Sequence, residues 1–128
     1  MFVPYKNADG ACEPYEYIAA GDVGYGQAAA MDMGMLKGVS GGVKPAYIVM
    51  GEEKIERGGE ELVPAIRVDP MTVFKTELSV DGTTLAIGNK VTIAADGKKV
   101  TATTSAGVAE IVAMFGNEAG DEVLVRFA

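Results

Sequence analysis

The chain has 128 residues, of which 48% are hydrophobic, and it carries 11 basic and 18 acidic side chains for a formal net charge of −7. Its length favours a single domain, and the acidic balance argues against nucleic acid or an anionic membrane as the main partner. A single cysteine and no histidine exclude an internal disulfide, the usual zinc ligand sets and a nucleophile activated by histidine.

The first 25 residues contain frequent proline and glycine breakers and four of the five tyrosines. This composition predicts an irregular N-terminal arm over residues 1–25 and a single β domain over residues 26–128. Two interpretations of the arm are open: a loop-rich start with one short strand at 15–19, tucked on the domain, or an extended arm that orders against a partner. In the second interpretation the contact residues are Phe2, Tyr5, Tyr15 and Tyr17.

Residues 27–36 carry signals for both helix and strand. The alanines at 28–30 favour a helix by propensity, whereas Met31, Met33 and Met35 alternate with other residues as they would in a strand. Because Gly34 and Gly38 weaken a helix, we predict a strand. We expect the methionines to pack in the core as adaptable apolar side chains, with no metal or ligand site.

The middle of the chain predicts more strands around one charged loop. Residues 46–50 are strongly apolar, and residues 62–68 and 71–78 predict two further strands. The loop 51–61 lies between the strands predicted at 46–50 and 62–68. It contains five glutamates but lacks the alternating ligands and central glycine of a calcium loop. We therefore predict a solvated loop.

The C-terminal half alternates short strands with tight turns. Asp96-Gly97 predicts a type I′ hairpin, and Asp81-Gly82 predicts a second hairpin. Residues 108–115 are apolar apart from Glu110, which predicts a central strand buried on both faces, and the final strand directs Val123, Val125 and Phe127 inward. We also expect Tyr47, Phe74 and Phe115 to point inward. The whole pattern predicts a mainly β fold, a small antiparallel β-barrel or sandwich.

One glycine cluster needs to be weighed as a cofactor site. The segment from Gly24 to Ala29 fits the loose dinucleotide pattern G-x-G-x-x-A. That pattern requires a following helix within a βαβ unit, and here a strand is predicted instead. We therefore predict no cofactor, no metal site and no catalytic residues, which indicates a non-enzymatic protein.

The hairpin region carries a family resemblance. Residues 86–91 follow an apolar–x–Gly–x–x–Val pattern, and residues 96–101 continue as Asp–Gly–x–x–Val–Thr. This order, followed by Gly107-Val108-Ala109 and the alternating strand at 123–126, resembles the capsid decoration proteins of tailed bacteriophages, also called cement or head-stabilising proteins. Upstream, residues 33–36 and 45–49 are loosely similar to the family's first strands, whereas residues 71–78 have no counterpart.

The resemblance implies a structural protein that binds the outside of a phage capsid and stabilises the shell, with the major capsid protein as its partner. It also implies a homo-oligomer, often a trimer, an N-terminal stretch that contacts the shell, and a virion location after synthesis in the host cytoplasm. The alternative is a β-rich surface binding or adhesion module that recognises protein or glycan. We expect neither nucleic acid nor membrane as a partner, since no stretch approaches the roughly 20 apolar residues of a membrane span.

The arm interpretation makes one further expectation. If residues 1–14 only contact a partner, their deletion leaves the β domain folded and weakens partner binding. A large drop in melting temperature would count against the arm.

Overall fold

Alternating apolar and polar side chains and short turns produce an all-strand architecture in the computed structural model, which describes residues 1–6, 16–51 and 54–127. The strands, in chain order, are β1 Val3–Lys6, β2 Glu16–Ala19, β3 Ala28–Asp32, β4 Met35–Gly38, β5 Tyr47–Val49, β6 Ile55–Arg57, β7 Glu60–Arg67, β8 Val73–Glu77, β9 Lys90–Val91, β10 Ala109–Met114 and β11 Glu122–Arg126. Within those ranges, no helix is long and apolar enough to cross a membrane.

The strands form two antiparallel sheets. The first sheet has the order β1-β8-β11-β10-β9, and the second has the order β2-β7-β5-β3-β4, with β6 pairing β7. Over the described part of the chain neither ladder closes into a barrel. The prediction of a mainly β antiparallel fold is therefore confirmed, and the fold is a sandwich.

A cluster of three phenylalanines lies in the core that the two sheets share. The ring of Phe127 lies 5.4 Å from that of Phe2 and 5.7 Å from that of Phe74, within the range of favourable aromatic pairs. Val123 and Val125 are fully buried in the same core, so the predicted inward face of the last strand is confirmed.

The central strands of the second sheet are buried on both faces, whereas its edge strands are partly exposed. Ala28, Ile48 and Ile66 lie side by side in the ladder and face the shared core. On the opposite face lies a second cluster of buried residues, made of Ala20, Ala29, Leu36, Tyr47, Val49, Val63 and Ala65. The sheet curls around this second cluster until its edges touch at a single bridge between Ala20 and Leu36. The alanines in the cluster are small enough to allow that close approach.

The tight turns differ from the predicted ones. At Asp96-Gly97 only Gly97 has a positive φ, of 72°, so the turn is not of type I′. Its amide donates to the carbonyl of Ala94 at 2.9 Å, which closes a four-residue turn centred on Ala95 and Asp96, and the amide of Ala94 donates to the carbonyl of Lys99 across a longer loop. The hairpin predicted at Asp81-Gly82 is wrong: the carboxylate of Asp81 accepts from the amide of Thr83 at 3.0 Å, and this local turn leaves no strand pair around it.

Among the described residues, two type I′ hairpins lie elsewhere. Met33 and Gly34 have φ values of 52° and 81° and join β3 to β4. Gly58 and Gly59 have φ values of 62° and 84° and join β6 to β7. The predicted solvated loop at 51–61 therefore contains a hairpin, although its described side chains are largely exposed, as expected.

Strand β10 is not buried on both faces. A β-bulge shifts its register against β11 between Ile111 and Ala113, and the residues after the bulge change sides. Met114 then packs against the shared core, and Phe115 is 63% exposed. The prediction that Phe115 points inward is wrong for this reason, whereas Tyr47, Phe74 and Phe127 are buried as expected.

Strands β1 and β2 lie within the predicted N-terminal arm. β2 agrees with the interpretation that placed one short strand near residues 15–19, and β1 adds a second strand that pairs β8. Pro4 does not break β1 because it lies in an edge strand, where a proline leaves no ladder hydrogen bond unmade. Residues 7–15, with Cys12 and Tyr15, lie outside the described residues.

Phe2 gives a direct stability prediction. Because its ring is fully buried against Phe127, we expect Phe2→Ala to lower the free energy of unfolding by about 3–5 kcal/mol, measured by urea denaturation. Deletion of residues 1–14 should then also destabilise the fold, contrary to the expectation for a free arm. The control is Tyr5→Ala in β1, the strand that directly follows Phe2, where the side chain is exposed and we expect a change within about 0.5 kcal/mol. Equal, small effects from both substitutions would contradict the burial of Phe2.

A candidate protein-binding surface

Of the four aromatic contact residues predicted from the sequence, the three that the structure describes do not form one site. Phe2 is buried in the shared core and is not available to a partner, which corrects that part of the prediction. Tyr5 and Tyr17 are 60% and 50% exposed, but they lie on edge strands of different sheets. Among the described contact residues, Tyr5 and Tyr17 therefore stay available to a partner, and the prediction for Tyr15 lies outside the described residues.

Tyr5 occupies a bulge in β1. Pro4 pairs with Phe74 and Lys6 with Val73, so Tyr5 is the extra residue between them. Bulges on edge strands re-aim a side chain and interrupt the ladder that another chain could extend. The bulge in the backbone of β1 therefore accounts for the exposure of Tyr5.

Among the described residues, the most exposed large apolar side chain belongs to Met33, which was predicted to lie in the core together with Met31 and Met35. Met33 is 97% exposed, and Met31 and Met35 are 47% and 45% exposed. We call the segment from Met31 to Met35 the methionine hairpin. The strand prediction for this segment is confirmed, but the core prediction for its methionines is wrong. The strands end at the turn, so these side chains extend past the buried part of the sheet.

The turn of the methionine hairpin is unusual in its sequence. A type I′ turn needs positive φ at both central positions, which favours Asn, Asp or Gly at the first of them. The second type I′ turn of the chain meets this need with Gly58-Gly59. At the same position, Met33 carries a Cβ in the left-handed region, at a cost of roughly 1–2 kcal/mol. Strained residues of this kind concentrate at functional positions.

The curled sheet places the methionine hairpin beside the β6–β7 turn. An open cavity of about 290 Å³ lies between them, and its lining residues are Ala19, Ala20, Met35, Gly59, Glu60 and Glu61. One wall is therefore apolar and the other is acidic. Glu61 pairs with Lys54 at 3.3 Å, and among the described residues no basic nitrogen lies within ion-pair distance of Glu60. The cavity therefore places the exposed carboxylate of Glu60 next to an apolar surface.

The same sheet carries a second charged group, around Arg67, whose charges are already paired. The guanidinium of Arg67 donates two hydrogen bonds to Glu16, at 3.2 and 3.3 Å, and lies 5.1 Å from the ring centre of Tyr47. The hydrogen bond to Glu16 is the main cause that raises the pKa of Arg67 above its ordinary value, and Tyr47 adds to it. Arg67 is thus paired with Glu16 and lies over the ring of Tyr47, which belongs to the second cluster.

Within the part of the chain that the structure describes, no group of three or more Asp, Glu or Cys side chains is placed to hold a metal ion. Comparison of the chain with protein-family models, with curated proteins and with solved structures found no significant match in any of the three.

The turn conformation predicts the effect of a substitution at Met33. Because asparagine tolerates the left-handed region, we expect Met33→Asn to raise the free energy of unfolding by about 0.5–1 kcal/mol in urea denaturation. The matched control is Met71→Asn, another exposed methionine without positive φ, where we expect no gain. A loss of stability at Met33 would contradict both its exposure and its strain.

Proposed function

We propose that this chain is a non-enzymatic structural protein that docks on another protein, and that the partner is the major capsid protein on the outside of a tailed-phage capsid. The observation that carries the proposal is the methionine hairpin, where an almost fully exposed apolar residue is kept in a strained turn. Met31 pairs with Leu36 and Met35 with Asp32, so these two methionines lie on opposite faces of the hairpin, and the exposed apolar contact is centred on Met33 at its tip. An apolar side chain kept exposed at the cost of strain is typical of a binding position. Methionine is frequent at such surfaces because its side chain adapts to the partner.

The resemblance of residues 85–126 to decoration proteins supports the choice of a capsid as the partner. The all-β sandwich is compatible with that family's compact β fold. The net charge of −7 suits a protein that faces outward, away from packaged DNA. A homo-oligomer, with a trimer as the form that the resemblance suggests, and a location on the virion surface belong to the same proposal.

A second candidate is a surface binding or adhesion module that recognises a protein or a glycan. The specific observation in its favour is the exposure of Phe115, since exposed aromatic rings are common in such sites. Phe115 begins the loop between β10 and β11, and its amide donates to Glu122 at 3.0 Å. The ring is therefore presented by a backbone fixed by hydrogen bonds.

The experiment that separates the two candidates is quantitation of this protein in virions purified from its source. For a decoration protein, mass spectrometry and gel densitometry should give a copy number approaching that of the major capsid protein. The control is a protein of the phage tail, which should be present in far fewer copies. Absence from the particle would overturn the capsid proposal and favour the adhesion module.

A further inference from the structure

We propose that the methionine hairpin and the adjoining cavity form a single docking surface, which receives a segment of a partner protein that carries an arginine or lysine beside an apolar residue. This inference deepens the proposed function and rests on it in one respect, namely that the partner is a protein. It assigns the contact to the second sheet, away from the aromatic residues Tyr5 and Tyr17.

The first observation is the exposed apolar side chain of Met33. Met33 lies at the tip of a two-residue turn and is almost fully exposed. Packing of the fold therefore does not require a methionine at this position. The Gly58-Gly59 turn shows that the chain can make the same hairpin without strain. Folding therefore does not explain Met33, whereas insertion of its side chain into an apolar pocket of a partner does. Burial of a methionine side chain contributes about 1.5–3 kcal/mol.

The second step is the chemistry of the cavity. Its volume, about 290 Å³, lies just below the roughly 300–1,000 Å³ of small-molecule pockets, so it suits one or two side chains of a partner better than a free ligand. Met35, Ala19 and Ala20 provide an apolar wall. The opposite wall carries Glu60 and Glu61. Arginine and lysine match this combination because their stems are apolar and their ends are cationic.

The third step is the charge of Glu60. Glu61 is already paired with Lys54, while Glu60 has no basic partner within the described ranges. A cation from the partner would therefore meet an unpaired carboxylate. The net charge of −7 favours approach of a basic segment to this surface. The occupant is thus a basic and apolar protein segment, in preference to an acidic one.

The test uses two probes on the full chain. The first is a capped hexapeptide of alternating leucine and arginine, with the same peptide carrying glutamate for arginine as its counterpart. The second is purified particles of the source phage, stripped of this protein. The readout for the peptides is the NMR signal of ¹³C-labelled methionine methyl groups, which distinguishes Met33 and Met35 from the exposed Met71 and from Met50 in the core. The readout for the particles is co-sedimentation.

We expect the arginine peptide to shift the methyl signals of Met33 and Met35, but not those of Met71 and Met50. Glu60→Gln should weaken that binding by about 1.5- to 5-fold, as expected for an exposed ion pair. Met33→Asn should weaken particle binding about tenfold or more. The controls Met71→Asn and Glu118→Gln should change neither binding reaction. Because Met33→Asn is expected to stabilise the fold, its loss of binding is not a result of unfolding.

The outcomes separate this inference from the proposed function. If wild-type protein and Met33→Asn bind particles equally, the inference is overturned and the capsid function stands. If the particles bind neither protein while the arginine peptide still shifts Met33 and Met35, the capsid function falls and the docking surface is supported. Equal shifts with the glutamate peptide would overturn the proposed partner chemistry.

Discussion

The burial of the central strands of the second sheet on both of their faces is the constraint on which the rest of the structure depends. Neighbouring residues of β3 are divided between two cores: Ala28 packs into the shared core, and Ala29 into the second cluster. A shift of one residue in that ladder would exchange the two sets, so the register is strongly fixed. The register then fixes where the strands end and which residues occupy the turns. The exposed position of Met33 follows from packing several residues away.

The same constraint limits where a partner can bind. The central strands of the second sheet are covered by its two cores, and the outer face of the first sheet carries ion pairs across its strands, such as Arg126 with Glu110 at 2.8 Å and Lys75 with Glu122 at 3.9 Å. The Lys75–Glu122 pair is solvated and contributes little to stability, whereas Glu110 is partly buried beside Arg126. These charges also keep that face polar. The apolar surface that is left to a partner is therefore concentrated at turns and edge strands, where Met33, Tyr5 and Phe115 lie.

The sequence predicted the fold class well because period-two alternation is a direct consequence of strand geometry, as in Val123, Val125 and Phe127. The prediction was wrong where a single local feature changed which face of the sheet a residue lies on, or whether the residue is buried. The bulge in β10 turned Phe115 outward, and a single extra residue leaves no signal in an apolar run. Pro4 suggested a break, but an edge strand accepts it, and Phe2 then became a core residue. The turn at Met33-Gly34 lacks the usual Asn-Gly or Asp-Gly signal, so the exposed hairpin was missed. Its only trace in the sequence was the alternation of three methionines.

The methionine hairpin combines a rigid backbone with adaptable side chains. A two-residue turn leaves the backbone little freedom, so presenting Met33 to a partner costs little conformational entropy. The methionine side chain can still adopt several rotamers and fit an irregular pocket. The strain at Met33 is tolerated because β3 is anchored through Ala28 and Ala29 in two separate cores, which together outweigh a cost of roughly 1–2 kcal/mol. A chain with only one core on this sheet would be less able to hold the turn. The double burial and the strained, exposed methionine are therefore parts of one physical arrangement.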